Sequence, residues 1–295
     1  MARVALIGGT GVYEAGILEG VERRQVVTPY GLAAMDYGMY RGAGGSTHEV
    51  AFLARHGAGH VLPPHRINYR ANIWALHQLG VRRVIGTAAV GSLREDMPPG
   101  HCVLTDSFLD FTRNRPGTFY DGDDSPAGGP TGVVHTDMTE PYCPELRGLL
   151  EQAAKSHGTK LTQGGCYVCT DGPRFESTAE IRMFRKLGAD VVGMTNVPEV
   201  VLARELGMCY ALVAMVTNYA AGMKAGRLTH AEVVETMSEN VRKIRAMALG
   251  ALDLLPSGRS CGCSEVEVPL DQNAVDGAAG PEDQGNGGGT KDAGN

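Results

Sequence analysis

The sequence lacks an excess of positive charge, an apolar run long enough to cross a bilayer and a leader-like N-terminus. Its formal net charge of −6 and pI near 5.9 give no electrostatic footprint for nucleic acid or for anionic lipid. No stretch approaches the ~20 consecutive apolar residues of a membrane span. The opening MARVALIGGTG has neither the apolar length nor the cleavage pattern of a signal peptide. The expectation is a cytoplasmic protein with no nucleic-acid or membrane partner.

Chemistry-bearing motifs are missing too. No His, Cys, Asp or Glu cluster has metal-ligand spacing along the chain, and no serine sits in a nucleophile elbow, so neither a metal nor an acyl-enzyme is expected. The N-terminal glycine turn is not GxGxxG and lacks a GK[ST] ending, which argues against dinucleotide and nucleoside-triphosphate loops. The seven cysteines are odd in number and mostly within apolar runs, as reduced core thiols would be. Cys166 and Cys169 have CxxC spacing but sit in a run that reads as a strand, where residues three apart face opposite ways. Cys261 and Cys263, in a tail, could close a small strained disulfide, bind a stray metal or do nothing, and in a reducing compartment the last is expected.

What is present is an ordinary globular composition, 43% hydrophobic and 20% charged over 295 residues, enough for one large domain or two small ones. Short apolar runs at 2–7, 50–54, 81–90, 102–108, 165–170, 189–194 and 208–217 are strand candidates. Between them, 69–79 and 144–157 have helical period and end at Gly80 and Gly158. Ser177 with Glu180 and Thr229 with Glu232 are capping boxes that open two further helices. Strands alternating with helices predict an α/β fold, a central parallel or mixed sheet with helices on both faces. From about Pro256 the chain loses periodicity and becomes rich in Gly, Asp, Glu, Asn and Ser, so the folded part is expected to end near Leu255, leaving 256–295 as a flexible tail.

Four constellations could carry chemistry. Gly8-Gly9-Thr10-Gly11 follows the first strand and could cradle an anion with backbone N–H groups and a hydroxyl, or be a turn without a ligand. Arg55-His56 closes the second run, as an oxyanion clamp or as two solvated residues. Asp171-Gly172-Pro173-Arg174-Phe175-Glu176 is a rigid turn presenting an aromatic ring and a carboxylate. In its bland reading Phe175 staples onto Phe184 and Glu176 is helix-start charge. Met194-Thr195-Asn196 and Thr217-Asn218-Tyr219 are polar strand ends, where open α/β sheets bind ligands.

The order GGTG, ARHG, NYRANIWAL, GTAAVGSLRE, MPPG, FYDG, TDGPRFES, GADVVGMTNVPEVVLARELG and TNYAAG, from about residue 3 to residue 255, resembles the trimeric purine nucleoside and methylthioadenosine phosphorylase family. The resemblance implies one catalytic domain over 1–255, built on a distorted, barrel-like mixed sheet. It implies cleavage of a nucleoside's N-glycosidic bond by inorganic phosphate, a co-substrate, giving free base and ribose 1-phosphate without metal or organic cofactor. Carried over by motif, Thr10, Arg55, His56, the Ala89 backbone and Thr195 would hold phosphate. Met194 would line the ribose, Phe175 would pack on base or sugar, and His135 would reach a neighbouring subunit's site in a homotrimer or dimer of trimers. Asn218, Glu176 and His56 are the expected catalytic groups.

Base choice follows from two positions. The methylthioadenosine branch has aspartates where this chain has Asn218 and Ala220, whereas the 6-oxopurine branch has glutamate and asparagine where Glu176 and Asn218 stand. Glu176 can accept the N1–H that hypoxanthine and guanine possess and adenine lacks, and an asparagine amide can serve N7 and O6. His230 matches a histidine that contacts the ribose 5′-hydroxyl in the purine nucleoside branch. The implied activity is therefore phosphorolysis of inosine and guanosine, with S-methyl-5′-thioinosine or S-methyl-5′-thioadenosine as the alternative substrate, since GSLRE, FYDG and VPEVVLARE lie nearer the methylthioadenosine branch. The Cys261–Cys263 pair resembles a CxC of some archaeal members, where it is linked to disulfides and stability.

Overall fold

The computed structural model describes residues 3–8, 16–42, 44–224 and 230–266, side chains of 230–240 excepted. The chain opens with β1 (Arg3–Gly8), a hairpin of β2 (Glu19–Thr28) and β3 (Gly31–Arg41), and β4 (Thr47–Ala54). Then come α1 (Tyr69–Gln78), β5 (Arg83–Ser92), β6 (Cys102–Leu104), β7 (Ser107–Phe111) and α2 (Pro144–Ser156). After β8 (Leu161–Gln163) and β9 (Cys166–Thr170) follow α3 (Thr178–Lys186), β10 (Val191–Gly193), α4 (Glu199–Glu205), β11 (Cys209–Tyr219) and α5 (His230–Asp253).

The expected strands and helices are present, and the Ser177 capping box forms in full: the Ser177 hydroxyl accepts from the Glu180 N–H at 3.2 Å, and the Glu180 carboxylate from the Ser177 N–H at 2.7 Å. Thr229 lies outside the described residues. The run 102–108 is two strands, β6 and β7. The β2–β3 hairpin is unforeseen because β2 is polar and largely exposed at the sheet's edge, so it has no apolar alternation to read.

All described strands join one mixed sheet in which β5 is the branch point. β11 runs parallel along one edge of β5 over nearly its whole length. The other edge is shared. β1 pairs in parallel with Arg83–Gly86, and β10 pairs antiparallel with Gly91 and Ser92. Between Gly86 and Gly91 no described strand is paired on that edge. Because β1 and β10 approach from opposite directions, their C-terminal ends face each other across the gap. β4 lies parallel to β1 and β9 parallel to β10, so both deliver their C-terminal residues to the same place.

Helices cover both faces. One core layer places α1 and α4 on residues such as Ile7, Leu53, Val84 and Leu212; a second packs α2 and α5 on Val4, Ile85, Ala211 and Val213. The β5 and β11 runs are buried on both faces, which is why they read as continuous apolar segments.

The ordered chain does not end near Leu255. Residues 256–266 fold back over the start of α2. The Ser260 N–H and hydroxyl each donate to Glu145 at 2.6 Å, Arg259 donates to the Gly207 carbonyl at 2.8 Å, and Cys263 is buried in the second core layer. A segment held by single polar and sulfur contacts has no periodicity, so the sequence places the boundary too early. Residues 267–295 lie outside the described residues.

Candidate active site

The gap along β5 is where the polar residues collect. Alternate residues of a strand turn their N–H and C=O to the same edge. Thr87 and Ala89 therefore face the gap together, and the Thr87 carbonyl accepts from Arg55 at 2.6 Å. Ala89 is the one residue of β5 that is not buried. Its backbone N–H lies on the edge of β5 that the described strands leave unpaired between β1 and β10, the setting in which a main-chain donor can hold an anion.

Arg55 enters from the end of β4, its own N–H donating to the Gly8 carbonyl at 3.2 Å. Its side chain is buried and meets Glu199, equally buried, through bonds of 3.0 and 2.7 Å. The Tyr210 hydroxyl donates to the same carboxylate at 2.6 Å. Burial disfavours charge on Arg55, but the Glu199 carboxylate outweighs it and raises the guanidinium's pKa, so the cation is fixed. Burial, then Glu199, holds Tyr210 in its phenol form.

His56 follows Arg55 at the rim. Its Nδ1 lies 2.8 Å from the Leu62 carbonyl, which can only accept, so Nδ1 carries a proton and Nε2 of the neutral ring is left as an acceptor. Burial lowers its pKa to about 4; the Leu62 bond works the other way, and Arg55 and His60 push it down further. His60 stacks on the ring, centroids 4.1 Å apart.

From the opposite side β10 delivers Met194, partly exposed, and Thr195, buried with its N–H on the Tyr167 hydroxyl at 3.3 Å. Gly172, at φ +63°, lies on the Met194 sulfur where a Cβ would overlap it. That contact sets the turn carrying Phe175 and Glu176. Arg115 secures the turn from beneath, donating to the carbonyls of Val197 at 2.6 Å, Asp171 at 2.9 Å and Thr170 at 3.2 Å.

Glu176 is not helix-start charge. It is buried and accepts from the Thr170 hydroxyl at 2.7 Å, while Glu180 serves the helix terminus. Burial raises its pKa above the usual carboxylate range, partly offset by the Thr170 bond. Phe175 is 40% exposed, and the ring packed on Phe184 is that of Phe111, so the staple reading fails and Phe175 is left facing solvent.

Asn218 follows a register shift in β11 at Thr217. Its Oδ1 accepts from the Thr217 hydroxyl at 2.8 Å, and its Nδ2, which lies beside Gly91, donates to the Tyr219 carbonyl at 2.9 Å, leaving one N–H without a partner among the described residues. Ala220 is buried among Leu93, Val168 and Val192, with no acidic group in its place.

The structure thus brings Arg55, Ala89, Met194 and Thr195 to one gap, with His56 following Arg55, Glu176 on the turn after β9 and Asn218 near the end of β11. Thr10 lies outside the described residues. His230 opens α5, but its side chain is among those not described. His135 is exposed on the segment between β7 and α2, and no hydrogen bond or ring contact among the described residues ties it to the gap. Sequence reasoning missed Glu199, Tyr210, Thr170 and Arg115. Glu199 had a signal: one carboxylate ahead of the apolar run Val200-Val201-Leu202-Ala203.

The profile of the Phosphorylase superfamily matches residues 3–253. The chain belongs to that superfamily. It is 54% identical over 261 residues to a probable 6-oxopurine nucleoside phosphorylase of Dictyoglomus turgidum, covering 88% of this chain and 95% of that one. It is 54% identical to the 6-oxopurine nucleoside phosphorylase of Pyrococcus furiosus, covering 90% and 97%, and 50% identical to a probable S-methyl-5′-thioinosine phosphorylase of Methanopyrus kandleri, again covering 90% and 97%. Among solved structures, the methylthioadenosine phosphorylase of Schistosoma mansoni in complex with adenine superposes with TM-score 0.80 at 34% identity, over 88% of this chain and 93% of that one.

Proposed function

We propose that this chain cleaves the N-glycosidic bond of 6-oxopurine nucleosides with inorganic phosphate, releasing the base and ribose 1-phosphate. The observation that carries the reading is the gap on β5: a main-chain donor at Ala89 on the unpaired edge beside a fixed arginine, with a buried carboxylate on the turn after β9 and an oriented amide near the end of β11.

Phosphate would sit between the Ala89 N–H, the remaining Arg55 donors, His56 and Thr195, and the family resemblance adds Thr10 to that set. From there an oxygen attacks the anomeric carbon as the bond to the purine stretches. The enzyme's contribution is position and charge complementarity. The free Asn218 N–H donates to N7 as negative charge collects on the departing base, and the Glu176 carboxylate accepts N1–H. Met194 lines the sugar, Phe175 covers the base, and no metal or organic cofactor takes part. The family resemblance adds a homotrimer or dimer of trimers, in which His135 would complete a partner subunit's site.

The test is formation of ribose 1-phosphate from inosine. A product that appears only with phosphate supports the reading; hypoxanthine released without phosphate contradicts it.

A second reading, phosphorolysis of S-methyl-5′-thioinosine, is favoured by the 50% identity to the Methanopyrus kandleri protein. His230 decides between them. His230→Val should weaken inosine turnover more than methylthioinosine turnover if the ribose 5′-hydroxyl is read there.

A further inference from the structure

Four of the seven cysteines converge at a point the phosphorolytic reading does not use. Cys143 caps the N-terminus of α2, Cys209 begins β11, and Cys261 and Cys263 arrive on the folded-back C-terminal segment. Their four sulfur atoms all lie within 4.8 Å of one another, with Cys209 and Cys261 at 3.4 Å. Cys143, Cys209 and Cys263 are buried, and Cys261 is at the surface side.

From these distances we infer that the cluster is a structural zinc site of four thiolates. Zn–S bonds of about 2.3 Å put the sulfurs of a tetrahedral site about 3.8 Å apart, so the four need close by an ångström or less. All four positions are filled by protein, the mark of a structural rather than a catalytic zinc. Two disulfides would require the sulfurs to separate into pairs. One of the pairings joins Cys261 to Cys263 across a single residue and so gains least from loop closure.

The surroundings suit thiolates. The Leu146 N–H donates to the Cys143 sulfur at 3.4 Å at a helix N-terminus. Arg259 sets its guanidinium 4.0 Å from the Cys209 sulfur while anchored on the Gly207 carbonyl. Binding releases four thiol protons and leaves a site of net charge −2, against which these donors stand. Its role is to fasten the segment after α5 to the start of α2 and to β11. No cysteine spacing announced it, because the ligands come from three distant stretches and the tail spacing is CxC.

The full, untagged chain is produced in a reducing host and purified with a phosphine reductant and no chelator. Elemental analysis should give about one zinc per chain, as a closed four-cysteine site requires. Cys261→Ser and Cys263→Ser should each lose nearly all of it and melt at lower temperature, while retaining inosine turnover at ambient temperature. Cobalt-grown protein should show the intense visible bands of a tetrahedral cobalt tetrathiolate, absent in Cys261→Ser. A zinc-free chain lighter by four hydrogens, meaning two disulfides, would overturn the proposal. So would a zinc-free chain with all thiols reactive, or zinc retained in both variants.

Discussion

Arg55 and Glu199 meet edge to edge, guanidinium against carboxylate, at 3.0 and 2.7 Å and with both side chains buried. The pair links the end of β4 to the start of α4, 144 residues apart. With the bond to the Thr87 carbonyl it uses three of the five N–H groups a guanidinium offers, and it fixes the plane in which the rest are presented.

Glu199 is therefore expected to act on phosphate through Arg55. Glu199→Gln leaves a buried cation uncompensated and should cost about 3–5 kcal/mol of stability. The phosphate KM should rise more than the nucleoside KM. Thermal unfolding with and without phosphate, beside steady-state kinetics, checks both; an unchanged phosphate KM would reduce the pair to a structural contact.

The same pair marks where sequence reasoning stops. The layered α/β plan was legible because β5 and β11 are continuous apolar runs and α2 and α3 carry clear period or capping. Arg55 was legible as one cation after a core strand. That it is clamped by Glu199 was not, since the partner lies in another element and the one local sign, a carboxylate ahead of an apolar run, does not say what that carboxylate meets. Nor does the sequence reveal that β1 and β10 share one edge of β5, which is what opens the gap beside Ala89. Asn218 and Glu176 were readable because two residue types distinguish base classes; the Thr217 and Thr170 hydroxyls that hold them were not.

His56 should make stability fall in acid. Its pKa drops from 6.5 to about 4 on folding, so between those values the unfolded chain binds the extra proton. Its contribution is full above the higher value and is lost as pH falls toward the lower. In phosphate-free buffer, the melting temperature of His56→Gln should decline less over that window than that of the unsubstituted chain. Parallel declines would refute the assignment.

Glu176 should set the acid limb of turnover on 6-oxopurines. Burial raises its pKa above the ordinary carboxylate value, and once protonated the group no longer accepts N1–H freely. Glu176→Gln should lower kcat/KM for inosine by roughly ten- to a hundredfold, the worth of a charged hydrogen bond, and flatten that limb. An unaltered pH profile at full activity would remove Glu176 from the base site.

At Asn218, aspartate replaces the free N–H by an acceptor and sets a carboxylate against the Tyr219 carbonyl that now receives the amide. Asn218→Asp should move the inosine-to-adenosine ratio of kcat/KM toward adenosine, with loss of rate, since Ala220 supplies no second acid. A ratio equal to that of the unsubstituted chain would contradict the base-recognition scheme.

The most direct test is that ratio in the unsubstituted chain at saturating phosphate, read as free base released. A site built to pair N1–H with Glu176 should favour inosine and guanosine over adenosine by at least about a hundredfold. Adenosine cleaved as well as inosine would contradict the account.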